Sequence, residues 1–363
     1  MSTIRILTSN DVDKVLDNLS PELAIKSQAH LFELFSRAEA LKDTQGHNVI
    51  QTPHRITVSS EDSTMLFMPS RAPTISSSSS SNENGRGNNT TSIKIVSVPN
   101  GSGADGLPAT TLVMNEKTGK VKAIVNARKL TALRNACGSA LFLQQFPNPT
   151  PPKHLVLFGS GAQCYSHTIL FLKLYSSSLK NVTFVIRSLT PRAEKVIKDL
   201  SSKFPQVKFE LAVHASAESE GLNEVVKKGD IIVTATSSTK PLFKSDSSTP
   251  GKGSRLILIG SYKPTMKEID SNLTKNSSLL VVDSKDACLR ESGELIESNI
   301  QKDQLVELGE TLNKEYEIKS HNNDDDIIIF KSVGLGIQDV AITNLVVEEA
   351  EKLSLGNIIE NYD

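Results

Sequence analysis

The sequence predicts an α/β chain, with a doubly wound parallel sheet in its second half and a smaller α+β region before it. Three observations carry this reading. From residue 154 onward, short apolar runs alternate with segments of helical periodicity. The first run, Leu155 to Phe158, stops at Gly159-Ser160-Gly161, and an apolar-periodic segment opens at Ala162. Before residue 150 the strands instead alternate apolar and polar residues, as half-buried antiparallel strands do.

The bulk numbers narrow the field. A chain of 363 residues with 38% hydrophobic and 22% charged content is long enough for two domains with cores of their own. A net charge of −1 gives no reason to expect a nucleic-acid or membrane-surface partner. Cys137, Cys164 and Cys288 are sparse, odd in number and without metal-ligand spacing, which suits a reducing compartment, and a cytoplasmic protein is expected. No apolar run approaches a membrane span, and the N-terminal segment lacks the apolar core of a signal peptide.

Taken in order, Ile4 to Leu7 reads as a strand. Thr8 to Asp11 offers helix caps ahead of Val12, Val15, Leu16 and Leu19 at helical spacing. A second helix is expected from Pro21 to Leu41, burying Leu23, Leu31, Leu34 and Phe35. Strands follow at Arg55 to Val58 and at Thr64 to Met68, the latter ending at Pro69. Residues 71–92, with six consecutive serines from Ser76 to Ser81, read as a disordered insertion, because so little apolar area cannot offset the ordering entropy. Ile93 to Val98 alternates as a strand. Thr111 to Asn115 and Lys120 to Val125 form a hairpin turning at Gly119. Leu130 to Phe146 is a helix, and Pro147, Pro149, Pro151 and Pro152 punctuate the chain after it.

In the second half, strands are predicted at 154–158, 182–186, 207–213, 230–235, 255–259 and 279–283, with helices at 162–175, 191–203 and 218–228. Glu291 to Ile300 and Gln304 to Leu308 read as helical, Ile327 to Phe330 as a strand, and Gln338 to Leu353 as a last helix.

The glycine turn has a chemistry. Gly159 permits a tight turn out of the strand. Gly161 has no Cβ to keep the backbone from a pyrophosphate, and the helix starting at Ala162 and Gln163 offers N–H groups and a positive dipole end. This is the opening of a Rossmann dinucleotide-binding unit, with Cys164 where a third glycine would stand. The second strand then ends Arg187-Ser188-Leu189-Thr190, and no acid lies from Val182 through Arg192. A carboxylate there would hold the ribose hydroxyl of NAD. An arginine with hydroxyls from Ser188 and Thr190 favours the 2′-phosphate of NADP(H) over NAD(H), although Thr190 is also placed to cap the next helix. Thr236 and Ser237 end the fourth strand, at the ligand edge of such a sheet.

Several segments together resemble the ornithine cyclodeaminase / mu-crystallin family over about residues 50–350. They are Met68-Pro69, Lys94-Ile95-Val96, Gly106-Leu107-Pro108, Leu130-Thr131-Ala132-Leu133-Arg134, Gly159 to Gln163, Thr234 to Ser238, Glu291 to Glu294, Glu307 to Glu310, Phe330 to Gly334, and Gln338-Asp339. The resemblance implies a homodimer. It assigns residues 1–130 with 320–363 to a substrate-binding and dimerisation domain and 131–319 to the Rossmann NAD(P)-binding domain. It places Arg55, Lys94 and Arg134 where the family holds a substrate carboxylate or a catalytic ammonium, and Ser332 near the nicotinamide.

Read alone, these basic residues have plainer meanings. Lys94 occupies a polar strand position where lysines are solvated, Arg134 could be a helix surface charge, and Arg55 sits beside His54 in a turn-like stretch. His167 reads as a packed histidine, and Cys164 as a small packing residue or a thiol of lowered pKa.

Departures from the family point to the reaction. Tyr262 stands where cyclodeaminases carry an aspartate base, and Leu66 where they carry a glutamate. A phenol of ordinary pKa ~10 is a poor base at neutral pH. The expectation is therefore an NADP(H)-dependent oxidoreductase reducing a cyclic ketimine or imino acid, or acting as an amino-acid dehydrogenase, with Lys94 and Tyr262 as the proton-handling residues and no metal. The alternatives are an NAD-dependent ornithine cyclodeaminase, forming proline and ammonia, and a non-catalytic NADP or small-ligand binding protein.

Overall fold

The computed structural model describes residues 3–38, 46–76, 88–99, 107–313 and 323–362. It falls into two units, Met1–Cys137 with Gly334–Asp363, and Gly138–Val333. In the first, β1 (Thr3–Leu7) leads into α1 (Ser9–Asn18), where Thr8 and Asp11 cap each other's backbone N–H groups. Ser20 caps α2 (Pro21–Ser36), with proline at the first helical position. This helix buries Ala24, Ile25, Ser27, Gln28, Leu31 and Phe32 rather than the predicted Leu23, Leu34 and Phe35, which are only half-buried. The apolar stripe is rotated because two polar side chains, Ser27 and Gln28, find partners inside, Ser27 on Ala24 O and Gln28 on Gln338 O.

Strands β2 (Ile56–Ser59), β3 (Ser63–Thr74), β4 (Asn88–Pro99), β5 (Ala109–Met114) and β6 (Val121–Asn126) pair antiparallel in sequence. Pro69 does not end β3. Pairing with β2 stops at Phe67, so one side of β3 is a sheet edge there and tolerates a residue without an N–H. Residues 71–74 and 88–92, which the low-complexity reading assigns to a disordered loop, are strand, paired from Arg71↔Thr91 to Thr74↔Asn88, with the Thr74 and Thr90 hydroxyls 3.1 Å apart. The β-branched threonines outweigh the polar composition. Ser77 to Ser81, the far end predicted for the second helix, and Gly106 lie outside the described residues. The β5–β6 hairpin turns at Gly119, as expected. Helix α3 (Leu130–Gln145) follows.

The second unit alternates strand and helix: β7 (His154–Phe158), α4 (Ala162–Leu174), β8 (Asn181–Ile186), α5 (Pro191–Lys203), β9 (Lys208–Val213), α6 (Leu222–Lys227), β10 (Ile231–Thr234), β11 (Arg255–Leu258), α7 (Ser271–Asn276), β12 (Leu279–Val282), α8 (Lys285–Glu291), α9 (Gly293–Glu297), β13 (Leu305–Glu307), α10 (Leu308–Thr311) and β14 (Ile328–Lys331). Two segments differ from expectation. Residues 291–300 are broken at Ser292, which ends α8 and precedes α9, and Leu305–Glu307 is a strand paired with β12 rather than helix. The sheet order is β13-β12-β14-β11-β10-β7-β8-β9, and every pairing is parallel. Its inner strands β7, β8, β10, β11, β12 and β14 are apolar and buried along almost their whole length, as a sheet covered on both faces requires, while the edge strand β9 alternates exposed and half-buried residues. The strand order reverses between β7 and β10, which makes their C-terminal ends the switch point where such sheets take ligands.

The chain then returns to the first unit as α11 (Gly336–Lys352) and β15 (Asn357–Glu360). Helix α11 is buried nearly all round and packs on α2, β3 and β4. The first sheet has the order β15-β1-β6-β5-β4-β3-β2. It is mixed, not purely antiparallel, because β1 runs parallel to β6. Among the described residues no helix is long and apolar enough to cross a membrane.

Candidate active site

In the first unit the sequence places a lysine on β4, an arginine on α3 and an aspartate in the first turn of α11, and packing brings them into one buried cluster. Lys94 is 2% exposed rather than solvated. Its Nζ lies 2.7 Å from Asp339 Oδ2 and donates to Thr131 Oγ1 at 3.4 Å. Arg134 Nε lies 3.4 Å from Asp339 Oδ1. The other end of that guanidinium donates to Asn135 Oδ1 at 2.6 Å and to Gln338 Oε1 at 2.5 Å. Asp339 stands at the positive end of α11, which favours its charge. Among the described residues its carboxylate meets cations but accepts no hydrogen bond of good geometry.

Lys94 is held at about 8, mainly by burial, which penalises the ammonium. Asp339 opposes this, and the Arg134 and Arg55 charges add to it. Arg55 is half-buried just before β2, and its charge acts on Lys94. An ammonium with such a pKa gives up a proton near neutrality, and paired guanidiniums suit a carboxylate.

Gln338 and Asp339 belong to a stretch that resembles the family, but by spacing alone they read only as the start of a helix. Gly334, at φ +85°, is pressed against Arg134: a Cβ there would meet Nη1 and Nη2 at 2.8 Å. Only a glycine gives both the left-handed turn and the room.

In the second unit, Gly159 has φ +110°, and Gly161 stands at the N-terminus of α4 with no side-chain cap hydrogen bond. Among the described residues, chain neighbours aside, the one heavy atom within 4 Å of a Cβ placed on Gly161 is Arg192 Nη2, at 3.1 Å. A bare turn, an uncapped helix N-terminus and the β7/β10 switch point fit the pyrophosphate of a nicotinamide dinucleotide. Ala162 is exposed at this end, and Gln163 Oε1 is buried with no partner among the described residues. Arg187 and Ser188 are exposed beyond β8, while Thr190 caps α5 by accepting from Ala193 N at 3.2 Å. Ser237 is exposed after β10. Thr236 is turned to Glu268, donating to Oε1 at 2.8 Å. The Ser332 hydroxyl donates to Asp283 Oδ2 at 2.7 Å, inside the unit.

Buried charge ties this edge together. Glu268 accepts from Thr234 Oγ1, Thr236 N and Gly260 N at 2.7–2.8 Å, and burial raises its pKa. Lys331 Nζ donates to Ser261 O and Oγ at 2.6 Å, and Ser261 Oγ donates to Glu294 at 2.6–2.7 Å. Tyr262 follows Ser261 and is half-buried, with Lys263 Nζ 5.6 Å from its ring centre.

The remaining candidates are structural. His167 is buried between Ser139 Oγ (2.9 Å) and Gln163 O (2.8 Å), and burial holds it at about 4, hence neutral. Burial pushes the Cys164 thiol to about 12, so it is a packing residue and no activated thiol. Among the described residues no group of His, Cys, Asp or Glu side chains gathers to hold a metal ion.

The ornithine cyclodeaminase/mu-crystallin family model matches residues 24–354. The chain belongs to this family. It is 28% identical over 343 residues to a Delta(1)-pyrroline-2-carboxylate reductase of Bacillus thuringiensis, covering 89% of this chain and 93% of the relative. Its fold matches a Delta(1)-pyrroline-2-carboxylate reductase of Thermococcus litoralis solved with NADH and L-proline (TM-score 0.76, 23% identity, 97% and 99% of the two chains). It also matches an archaeal alanine dehydrogenase dimer with bound NAD (TM-score 0.77, 20% identity, 99% and 100%). As a member of this family the chain is an NAD(P)-dependent enzyme of the imine-reductase and dehydrogenase kind.

Proposed function

We propose that the chain is an NADP(H)-dependent reductase of a small cyclic ketimine or imino acid, working in a reducing compartment as a homodimer. The buried Lys94–Asp339–Arg134 cluster carries this reading. Arg134 and Arg55 hold the substrate carboxylate, and Lys94, at about 8, gives its proton to the imine nitrogen. The activated C=N is then an iminium that needs no base. When bound, a dihydronicotinamide supplies the hydride. Glycine turn, uncapped helix and Arg192 support the dinucleotide, while Arg187, exposed and without an ion-pair partner among the described residues, supports the 2′-phosphate.

Leu66, buried on β3, and Tyr262 leave the chain without the carboxylates expected of a cyclodeaminase. Named relatives that reduce Delta(1)-pyrroline-2-carboxylate point the same way. The test is oxidation of NADPH by the purified protein with Delta(1)-pyrroline-2-carboxylate and larger cyclic ketimine carboxylates, with NADH in parallel. Turnover with NADPH preferred supports the whole reading. Turnover with NADH preferred removes the 2′-phosphate role. Binding of either dinucleotide without turnover on any ketimine or amino acid turns the reading into that of a binding protein.

A further inference from the structure

We infer that Arg192 is a phosphate ligand of the dinucleotide, a role the glycine motif alone does not assign. This rests on the nicotinamide-dinucleotide reading above. Three observations converge on this residue. Its guanidinium Nη2 lies 3.1 Å from where a Cβ on Gly161 would stand, and among the described residues, chain neighbours of Gly161 aside, no other heavy atom comes within 4 Å of that point. It therefore occupies the space that the missing side chain leaves open at the turn.

Second, Arg192 lies in the first turn of α5, just after the Thr190 cap. A cation there faces the positive end of its own helix, an arrangement that is unfavourable unless an anion joins it. The uncapped N-terminus of α4 brings a second positive end to the same place. Third, Arg192 is exposed and, among the described residues, neither it nor Arg187 has an ion-pair partner. Arg192 thus stands at the turn with no ion pair of its own among the described residues, although Glu194 shares the first turn of α5. A planar guanidinium suits a phosphate, which it binds through paired N–H donors.

The dinucleotide brings two kinds of phosphate, the pyrophosphate shared by NADH and NADPH and the 2′-phosphate of NADPH alone. Titration calorimetry of both cofactors against the wild-type chain and Arg192→Ala separates them, with thermal unfolding confirming that the exposed substitution leaves the fold intact. Loss of a charge-assisted phosphate contact is expected to weaken binding about ten- to hundredfold. An equal loss for both cofactors assigns Arg192 to the pyrophosphate. A loss for NADPH alone assigns it to the 2′-phosphate. Unchanged affinity for both overturns the inference while leaving the cofactor reading intact. A wild-type chain that binds neither dinucleotide overturns both.

Discussion

Replacing Asp339 with asparagine tests the core of the site, because it keeps the shape of the side chain and removes one charge. Asp339 Oδ2 is 2.7 Å from Lys94 Nζ, and both side chains are 2% exposed. An opposite charge this close shifts a pKa by about 1–3 units. Without it, burial and the Arg134 and Arg55 charges all push Lys94 downward from about 8. A shift of ~2 units would bring it to ~6. The reaction in the reductive direction uses the protonated amine, so activity is present below the Lys94 pKa and is lost as pH rises through it. At pH 7.5 the protonated fraction falls from roughly three quarters to a few per cent, a loss of about 25-fold in kcat/KM for a 2-unit shift. Near pH 5.5 both proteins are mostly protonated and the gap narrows to less than about twofold. The assay is kcat/KM for ketimine reduction from pH 5.5 to 9. The expected result is a falling limb displaced to lower pH in Asp339→Asn. A limb that stays put, or a loss of the same size at every pH, refutes the reasoning, since either means that Asp339 does not set the Lys94 proton affinity.

Three further outcomes follow from the same geometry. Lys94→Met should lower turnover by at least about 100-fold, the scale of a positioned proton donor, while calorimetry finds dinucleotide affinity within about twofold of wild type. Arg187→Ala should weaken NADPH about tenfold or more and leave NADH unchanged; equal loss for both would remove the 2′-phosphate role. Gly334→Ala should destabilise the chain by about 1–3 kcal/mol in denaturant unfolding, because φ +85° is strained for alanine and the added Cβ meets the Arg134 guanidinium. It should also raise the KM of a carboxylate substrate more than it lowers kcat.

The second unit was the more legible in sequence. Its inner parallel strands are buried on both faces and read as short apolar runs, and Gly159 and Gly161 mark the turn directly. Of the two exceptions there, Leu305–Glu307 is too short for period to separate strand from helix. In the first unit, local pattern misled where long-range packing decided. Lys94 sits at a polar position of an alternating strand, yet it is buried because α11, far along the chain, lays Asp339 against it. Nothing near Asp339 in sequence announces a lysine partner, and an acid in a first helical turn reads as a response to the helix dipole. Arg192 was hidden for a related reason: in sequence it marks only the end of an acid-free stretch, and its approach to Gly161 is a product of the fold.

The second unit also indicates why its ligand edge can be a fixed surface rather than a set of loose loops. The ends of β10, β11 and β14 are joined by two buried carboxylates and one buried ammonium. Glu268 is fastened to the segments after β10 and β11, Lys331 to Ser261, and Ser261 to Glu294. Backbone donors at Thr236, Gly260 and Glu268, all within 2.8 Å of a carboxylate oxygen, complete the network. Such a network is costly to disturb, because losing one partner strands a buried charge. Thr236 and the turn carrying Tyr262 are anchored by the same groups. Their positions are therefore coupled, and a substitution at one should be felt at the other through Glu268 and Ser261 rather than through solvent.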